Sequence, residues 1–305
     1  HIEFARSSLD HFRIEYGPVR SSIHAHAEYA MPMDGRFESP HYIACRYMRI
    51  RLVTHGQQPE DVFAEIRRLY LIPSEYPCSW QGGFSCEDDE LEYIWKTGAR
   101  TVELCMQKNT ETSAQKLQYL PPYMVDFIRN YRGRYSDYVI FDGPRRDREA
   151  WLGDIRTEAL AAMSAFGSYD VVKSSLDIFY HLQKDNGITD GCAGTHQPFL
   201  EYNLWWLIAI WECYMYSGDR AFLSYIYPGV KRLYAHLFDI MDERGFISSD
   251  GNWMWTLPRE GCGSGINTIL VHALRCAASI AEELFDSGDA SLLRSKADGI
   301  AANLN

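Results

Sequence analysis

From Ile266 to Asp289 the chain reads INTILVHALRCAASIAEELFDSGD. Ile266, Leu270, Leu274, Ala277, Ala281 and Leu284 fall three or four apart and form one apolar stripe, the period of an amphipathic helix. The stripe gives way to Ser287-Gly288-Asp289, and an earlier apolar run ends the same way at Ser217-Gly218-Asp219. Glycine suits the left-handed residue after a helix, and aspartate caps the next one. Val172, Leu176, Phe179 and Tyr180 share the helical period. The repetition predicts antiparallel helical hairpins joined by tight turns, with about seven or eight helices between Phe84 and Asn305.

The period differs upstream of Gly82-Gly83. Met48, Ile50 and Leu52 alternate with Tyr47, Arg49 and Arg51, and residues 12–16 (FRIEY) alternate likewise, which predicts half-buried strands. Residues 1–82 therefore read as a partial β-sandwich segment offering about four or five strands where a sandwich needs about seven. Residues 83–305 read as a mainly helical domain.

The 305 residues carry a net charge of −11, which argues against a phosphate backbone as ligand, since that is bound by clustered Lys and Arg. No apolar run approaches a membrane span, so no membrane partner is expected. Cysteines at 45, 78, 86, 105, 192, 213, 262 and 276 show no framework or C-x-x-C pair. They read as free thiols of a reducing, cytoplasmic compartment rather than bridges or zinc ligands. Twenty Tyr and eight Trp leave open whether the rings pack in a core or hold sugar faces.

The densest polar run is DGPRRDREAWLGD, Asp142 to Asp154. Pro144 disfavours helix at Gly143 and fits a first turn, so a helix is expected to begin near Arg146. That helix would put Asp147, Trp151 and Asp154 on one face, with Asp142 in the loop before it and Arg146 beside them. One reading is a charged helix start, with Asp favoured by the helix dipole and Arg in surface pairs. The other is a glycoside-cleaving cluster, in which one carboxyl stays protonated beside a desolvating ring and another stays ionised. Further candidates are His196 in the loop 191–198, Glu201 as a ligand or a helix cap, Trp206 in an apolar helix, and Trp255 in a loop with Trp253.

The run matches D-x-P-x-R-[DE]-R-x-x-W-x-G-D at every fixed position and so resembles the sugar-binding and general-acid motif of the α-L-rhamnosidases of glycoside hydrolase family 78. The resemblance implies that Asp147 is the general acid and that Asp142, Arg146, Trp151 and Asp154 bind rhamnose. It extends to Arg36-Phe37 and Arg46-Tyr47-Met48-Arg49, similar to the family's last β-domain strands, and to Gly83-Phe84-Ser85-Cys86 with Leu91, Ile94-Trp95 and Gly98, similar to the entrance of its helical domain. Glu201-Tyr202-Asn203-Leu204-Trp205-Trp206 and Tyr216-Ser217-Gly218-Asp219 resemble two further family stretches.

What the resemblance implies is an (α/α)6-type toroid, here incomplete, and inverting hydrolysis of terminal α-L-rhamnose from a rhamnose-containing oligosaccharide or glycoside, without metal or organic cofactor. Three departures qualify it. A Tyr-rich stretch separates Met106 from Asp142, Met254 precedes Trp255 where the family has Asp, and the family's general base is a Glu beyond everything aligned. The chain as given is therefore expected to lack its base, with Glu201 or Glu260 as the only substitutes, and to expose an apolar edge that a second copy could cover as a homodimer. The alternatives are another inverting hydrolase or a lyase on the same toroid, or a non-catalytic carbohydrate-binding fragment.

Overall fold

Phe12 and Ile14 lie two apart and are both buried, while Arg13 between them reaches Glu28 on the next strand at 3.1 Å. This is the period of a sheet with one face on a core. The computed structural model describes residues 1–7, 11–17, 25–32, 35–39, 45, 47–53, 63–73, 75–109, 122–144, 148–193, 198–251, 259–261 and 263–304. They divide into two units, His1–Ser74 and Glu75–Asn305.

The first unit contains β1 (Ile2–Ser7), β2 (His11–Gly17), β3 (Ala25–Ala30), β4 (Arg36–Phe37), β5 (Tyr47–Leu52) and β6 (Ala64–Leu69). They form two antiparallel three-stranded sheets, ordered β4-β1-β6 and β3-β2-β5. Ile2, Phe4 and Phe37 from the first sheet share a core with Phe12 and Ile14 from the second. Phe12 meets Phe4 at 5.1 Å and Phe37 edge-on at 4.9 Å, geometries aromatic rings favour. The alternation expected of β5 holds, with Met48, Ile50 and Leu52 less exposed than Tyr47, Arg49 and Arg51. Arg49 and Arg51 flank Glu15 at 3.3 Å each.

The second unit is helical. Eight helices lie among the described residues: α1 (Asp89–Cys105), α2 (Pro122–Asn130), α3 (Leu152–Phe166), α4 (Tyr169–Leu182), α5 (Leu200–Ser217), α6 (Arg220–Asp239), α7 (Ser264–Glu283) and α8 (Ser287–Leu304). Asp88 caps α1 by accepting from Glu90 N and Leu91 N. α1, α3, α5 and α7 pack side by side in chain order, and α4, α6 and α8 each pack against the helix before it. α1 leaves Leu91, Tyr93 and Ile94 exposed. None of the helices is long and apolar enough to cross a membrane.

The stretch between Met106 and Asp142 is more than a polar insertion. Met106–Lys108 (β7) pairs antiparallel with Tyr138–Ile140 (β8), and α2 precedes β8. Tyr131 after α2 donates to Asp177 Oδ2 at 2.8 Å and to the Ser174 carbonyl, tying the stretch to α4. The ladder sets Cys105, at the end of α1, next to the run that begins at Asp142, and Phe141 N donates to Cys105 O at 2.9 Å.

The two Ser-Gly-Asp turns are not equivalent. Gly218 takes the left-handed conformation (φ 63°) after α5, and Asp219 caps α6 by accepting from Phe222 N, as the sequence suggests. At the second turn the register is shifted upstream. Phe285 is the left-handed residue (φ 62°), Asp286 Oδ1 accepts from Asp289 N, and Ser287-Gly288-Asp289 already belong to α8. Asp286 competes for the cap and wins because a cap must precede the donors it satisfies. Both aspartates are also claimed by a lysine of the preceding hairpin. Asp219 binds Lys173 of α4 at 2.6 Å, and Asp289 binds Lys231 of α6 at 2.7 Å.

Candidate active site

The run carrying the chemistry enters from β8. Asp142 N donates to the Glu149 carbonyl at 2.9 Å and Asp142 Oδ1 accepts from Glu149 N at 3.2 Å, so the two ends of a tight loop are pinned together. Arg148 takes a left-handed backbone (φ 57°), and the chain leaves the loop extended. The helix expected from Arg146 therefore starts only at Leu152, with Trp151 as its extended N-cap residue (φ −99°, ψ 122°). The reason is competition for hydrogen bonds. Residues 150–152 pair with 191–193 through Leu152 N to Gly191 O at 2.8 Å and Ala193 N to Ala150 O at 2.9 Å, which an earlier helix would have forfeited. Trp151 and Asp154 are thus neighbours because an extended cap residue feeds a helix, with Asp154 N donating to the Trp151 carbonyl at 3.2 Å.

Trp151 packs against the touching rings of Phe199 and Tyr202, each with its centre 6.4 Å away, and its Nε1 is buried with no hydrogen-bond partner. Gly153 completes this packing. A Cβ there would meet the Tyr202 ring at 2.5 Å, so the glycine of the motif is the room that Tyr202 occupies. Asp154 is exposed in the first turn of α3, where the helix dipole favours its charge. Asp142 is half-buried, and Glu149 is buried.

The loop facing Trp151 is held from the other side by Asn203 in the first turns of α5. Asn203 is fully buried, accepts from Thr189 N at 2.9 Å, and donates to Thr189 O at 3.0 Å and Phe199 O at 2.9 Å. Asn267 repeats the device two helices on, gripping both backbone groups of Ile247 at 2.9 and 3.0 Å and Gly263 O at 3.0 Å. Each asparagine fixes the loop that leads into its own helix, at the end of the helices where Asp154 lies.

The electrostatics of the mouth point one way. Burial, then the charges of Asp154 and Asp142, hold the Glu158 carboxyl well above the usual carboxylate range. Burial, then Glu158 and Asp142, pushes the Cys105 thiol up to about 12. Tyr202 is also raised, by burial and then by Asp154 and Glu201. Acidic groups thus crowd the start of α3, and burial together with their charges favours the neutral form of Glu158.

Trp151 is the N-cap residue of α3, Asp154 lies in its first turn, and the charges of Asp154 and Asp142 both act on Glu158 of that helix. Glu201 is buried in the first turn of α5, next to Tyr202. Trp206 lies in the helical core, 1% exposed, with its Nε1 donating to the Leu176 carbonyl at 3.1 Å. Its neighbour Trp205 packs under the Arg156 guanidinium, which is itself held by Glu212 at 2.6 Å. Arg146, Asp147, His196 and Trp255 lie outside the described residues. Sequence reading missed Glu158 and the two asparagines. Glu158 stands four residues after Asp154 and hence on its face of α3, which was the available signal. No group of three or more His, Cys, Asp or Glu is gathered for a metal ion among the described residues.

Consecutive helical hairpins, packed in chain order, define the class of hairpin-built helical domains. Within that class the chain belongs to the family of the bacterial alpha-L-rhamnosidase 6 hairpin glycosidase domain, whose model matches residues 109–305. Its fold is similar to that of the GH78 family rhamnosidase of Bacillus sp. GL1, with a TM-score of 0.74 and 20% identity over 99% of this chain and 30% of that one. It is also similar to the Klebsiella oxytoca rhamnosidase with rhamnose bound, with a TM-score of 0.73 and 16% identity over 99% of this chain and 58% of that one. The α-L-rhamnosidase of Aspergillus terreus aligns at a TM-score of 0.68 and 13% identity, over 99% and 35%. The chain thus spans 30 to 58% of the length of these three enzymes. No curated protein matches the sequence.

Proposed function

We propose that the chain forms the acid-bearing part of an α-L-rhamnosidase, and that the full-length protein hydrolyses terminal α-L-rhamnose from rhamnose-containing oligosaccharides or glycosides with inversion. The observation that carries this reading is the motif from Asp142 to Asp154, met at every fixed position inside the stretch that the rhamnosidase family model matches. Asp147 is the general acid, delivering a proton to the leaving oxygen. Asp142, Arg146 and Asp154 take sugar hydroxyls, and Trp151 offers an apolar ring to the sugar's CH face. Inversion further requires a carboxylate about 6.5–9.5 Å from the acid to hold the attacking water. The hairpins form part of an (α/α)6 toroid with the site at its mouth, and Trp255 and His196 are further candidates for contacting the sugar. The absence of disulfides among the described cysteines fits a reducing, cytoplasmic setting.

The test is release of sugar from aryl glycosides by the full-length protein. L-Rhamnose should be released from the α-L-rhamnoside, appearing first as the β anomer by NMR. Activity on glucosides with none on the rhamnoside would overturn the reading.

A further inference from the structure

Glu158 sits one helical turn below Asp154 on α3, near enough to both Asp154 and Asp142 for their charges to act on it. Its Oε2 is sealed from solvent and has no hydrogen-bond partner, an arrangement that is unfavourable unless something supplies the missing bond. The charged and titratable groups around it are Asp154 on its own helix, Asp142 from the loop after β8, and Cys105 at the end of α1, with Tyr202 of α5 packed across Asp154. Among the described residues, the charges that act on Glu158, those of Asp154 and Asp142, are both negative. We propose that Glu158 is a positioning residue of the candidate sugar site, bringing a buried carboxylic-acid O–H to the Asp142 and Asp154 carboxylates and setting the geometry in which they take sugar hydroxyls.

The physical argument is that two carboxylates drawn toward one ligand repel each other, and a neutral acid beneath them shares its proton with whichever turns inward. The partnerless oxygen then gains its hydrogen bond when sugar fills the mouth. No proton leaves Glu158 in this role. Its deprotonation would add a third negative charge to the cluster and splay the pair.

The inference rests on the rhamnosidase reading for its ligand but not for its proton. The experiment compares full-length wild type, Glu158→Gln and Glu158→Leu in L-rhamnose binding and in thermal unfolding between pH 5 and 9. Gln keeps a neutral donor and should retain binding within about twofold, whereas Leu should weaken it about tenfold or more. The loss should fall on Kd and KM more than on kcat. Wild-type affinity should decline as pH rises through the raised Glu158 pKa, and Glu158→Gln should lack that decline. Stability supplies a readout that needs no sugar. The folded state keeps a proton that the unfolded state releases at lower pH, so wild type should lose stability relative to Glu158→Gln as pH rises from the ordinary carboxylate pKa to the folded one. Parallel stability curves, or a Glu158→Leu protein that binds sugar like wild type, would overturn the proposal with the rhamnosidase reading intact. A wild type that binds a different monosaccharide with this same variant pattern would overturn the rhamnose reading and uphold Glu158. Binding of no sugar at all would end both.

Discussion

Asp147→Asn in the full-length protein should lower turnover of an aryl α-L-rhamnoside with a poor leaving group by roughly 10²-fold or more, since positioned proton donation contributes about 10²–10⁴. The amide keeps the shape and hydrogen-bonding size of the acid but cannot deliver a proton. An activated leaving group that departs without protonation should recover much of the loss, and that contrast separates an acid from a residue that only binds. Asp154→Ala should behave in the opposite way, raising KM for either leaving group with a smaller effect on kcat, because Asp154 is an exposed carboxylate at a helix start, suited to gripping hydroxyls. Unchanged turnover of Asp147→Asn with the poor leaving group removes that residue from the acid role.

Asn203→Ala should destabilise the helical unit by about 3 kcal/mol or more in urea unfolding, since it strands the buried N–H and C=O of Thr189 at about 1–3 kcal/mol each. The damage should reach the site. The same loop carries Gly191, Cys192 and Ala193, which pair with residues 150–152 and hold Trp151 against Phe199 and Tyr202. Release at Thr189 should therefore shift the Trp151 environment, read as quenching of its fluorescence by L-rhamnose in a protein whose other tryptophans are replaced. Asn203→Asp keeps the acceptor but not the amide donor and should fall between wild type and Ala. A loss below about 1 kcal/mol for Asn203→Ala would mean that water replaces the amide, and the loop would then owe its place to the ladder with Trp151 alone.

Much of this architecture was legible because hydrophobic period is set locally. The stripe from Ile266 to Leu284 and the alternation at Met48, Ile50 and Leu52 each report one face of one element. Boundaries were less legible because they are settled by competition between neighbours. Asp286 outbids Asp289 for the start of α8 only because it lies earlier, and α3 waits until Leu152 because residues 150–152 find backbone partners in 191–193, about forty residues downstream. No local pattern announces that pairing. Within the motif the glycine and the indole both abut Tyr202, Gly153 by leaving the ring its room and Trp151 by an edge contact at 6.4 Å.

Glu158 and Asn203 escaped for a different reason. A glutamate after Arg156 and Thr157 reads as part of a solvated helix face, and an asparagine in an apolar helix reads as a cap or an exception. Their roles depend on what the rest of the chain lays over them, Cys105 and Asp142 in one case and Thr189 in the other. Tyr131 and Tyr225, both donating to the buried Asp177 at 2.8 Å, are a further network of this kind, fully satisfied and away from the mouth.

The central claim is that the start of α3 is where rhamnose binds, and a crystal structure of the full-length protein soaked with L-rhamnose tests it most directly. One sugar ring is expected at the start of α3, with hydroxyls within hydrogen-bonding distance of Asp142 and Asp154, an apolar face against Trp151, and the Glu158 oxygen newly bonded to one of the two aspartates. A rhamnose ordered elsewhere, with Asp142, Trp151 and Asp154 touching none of it, would contradict the account.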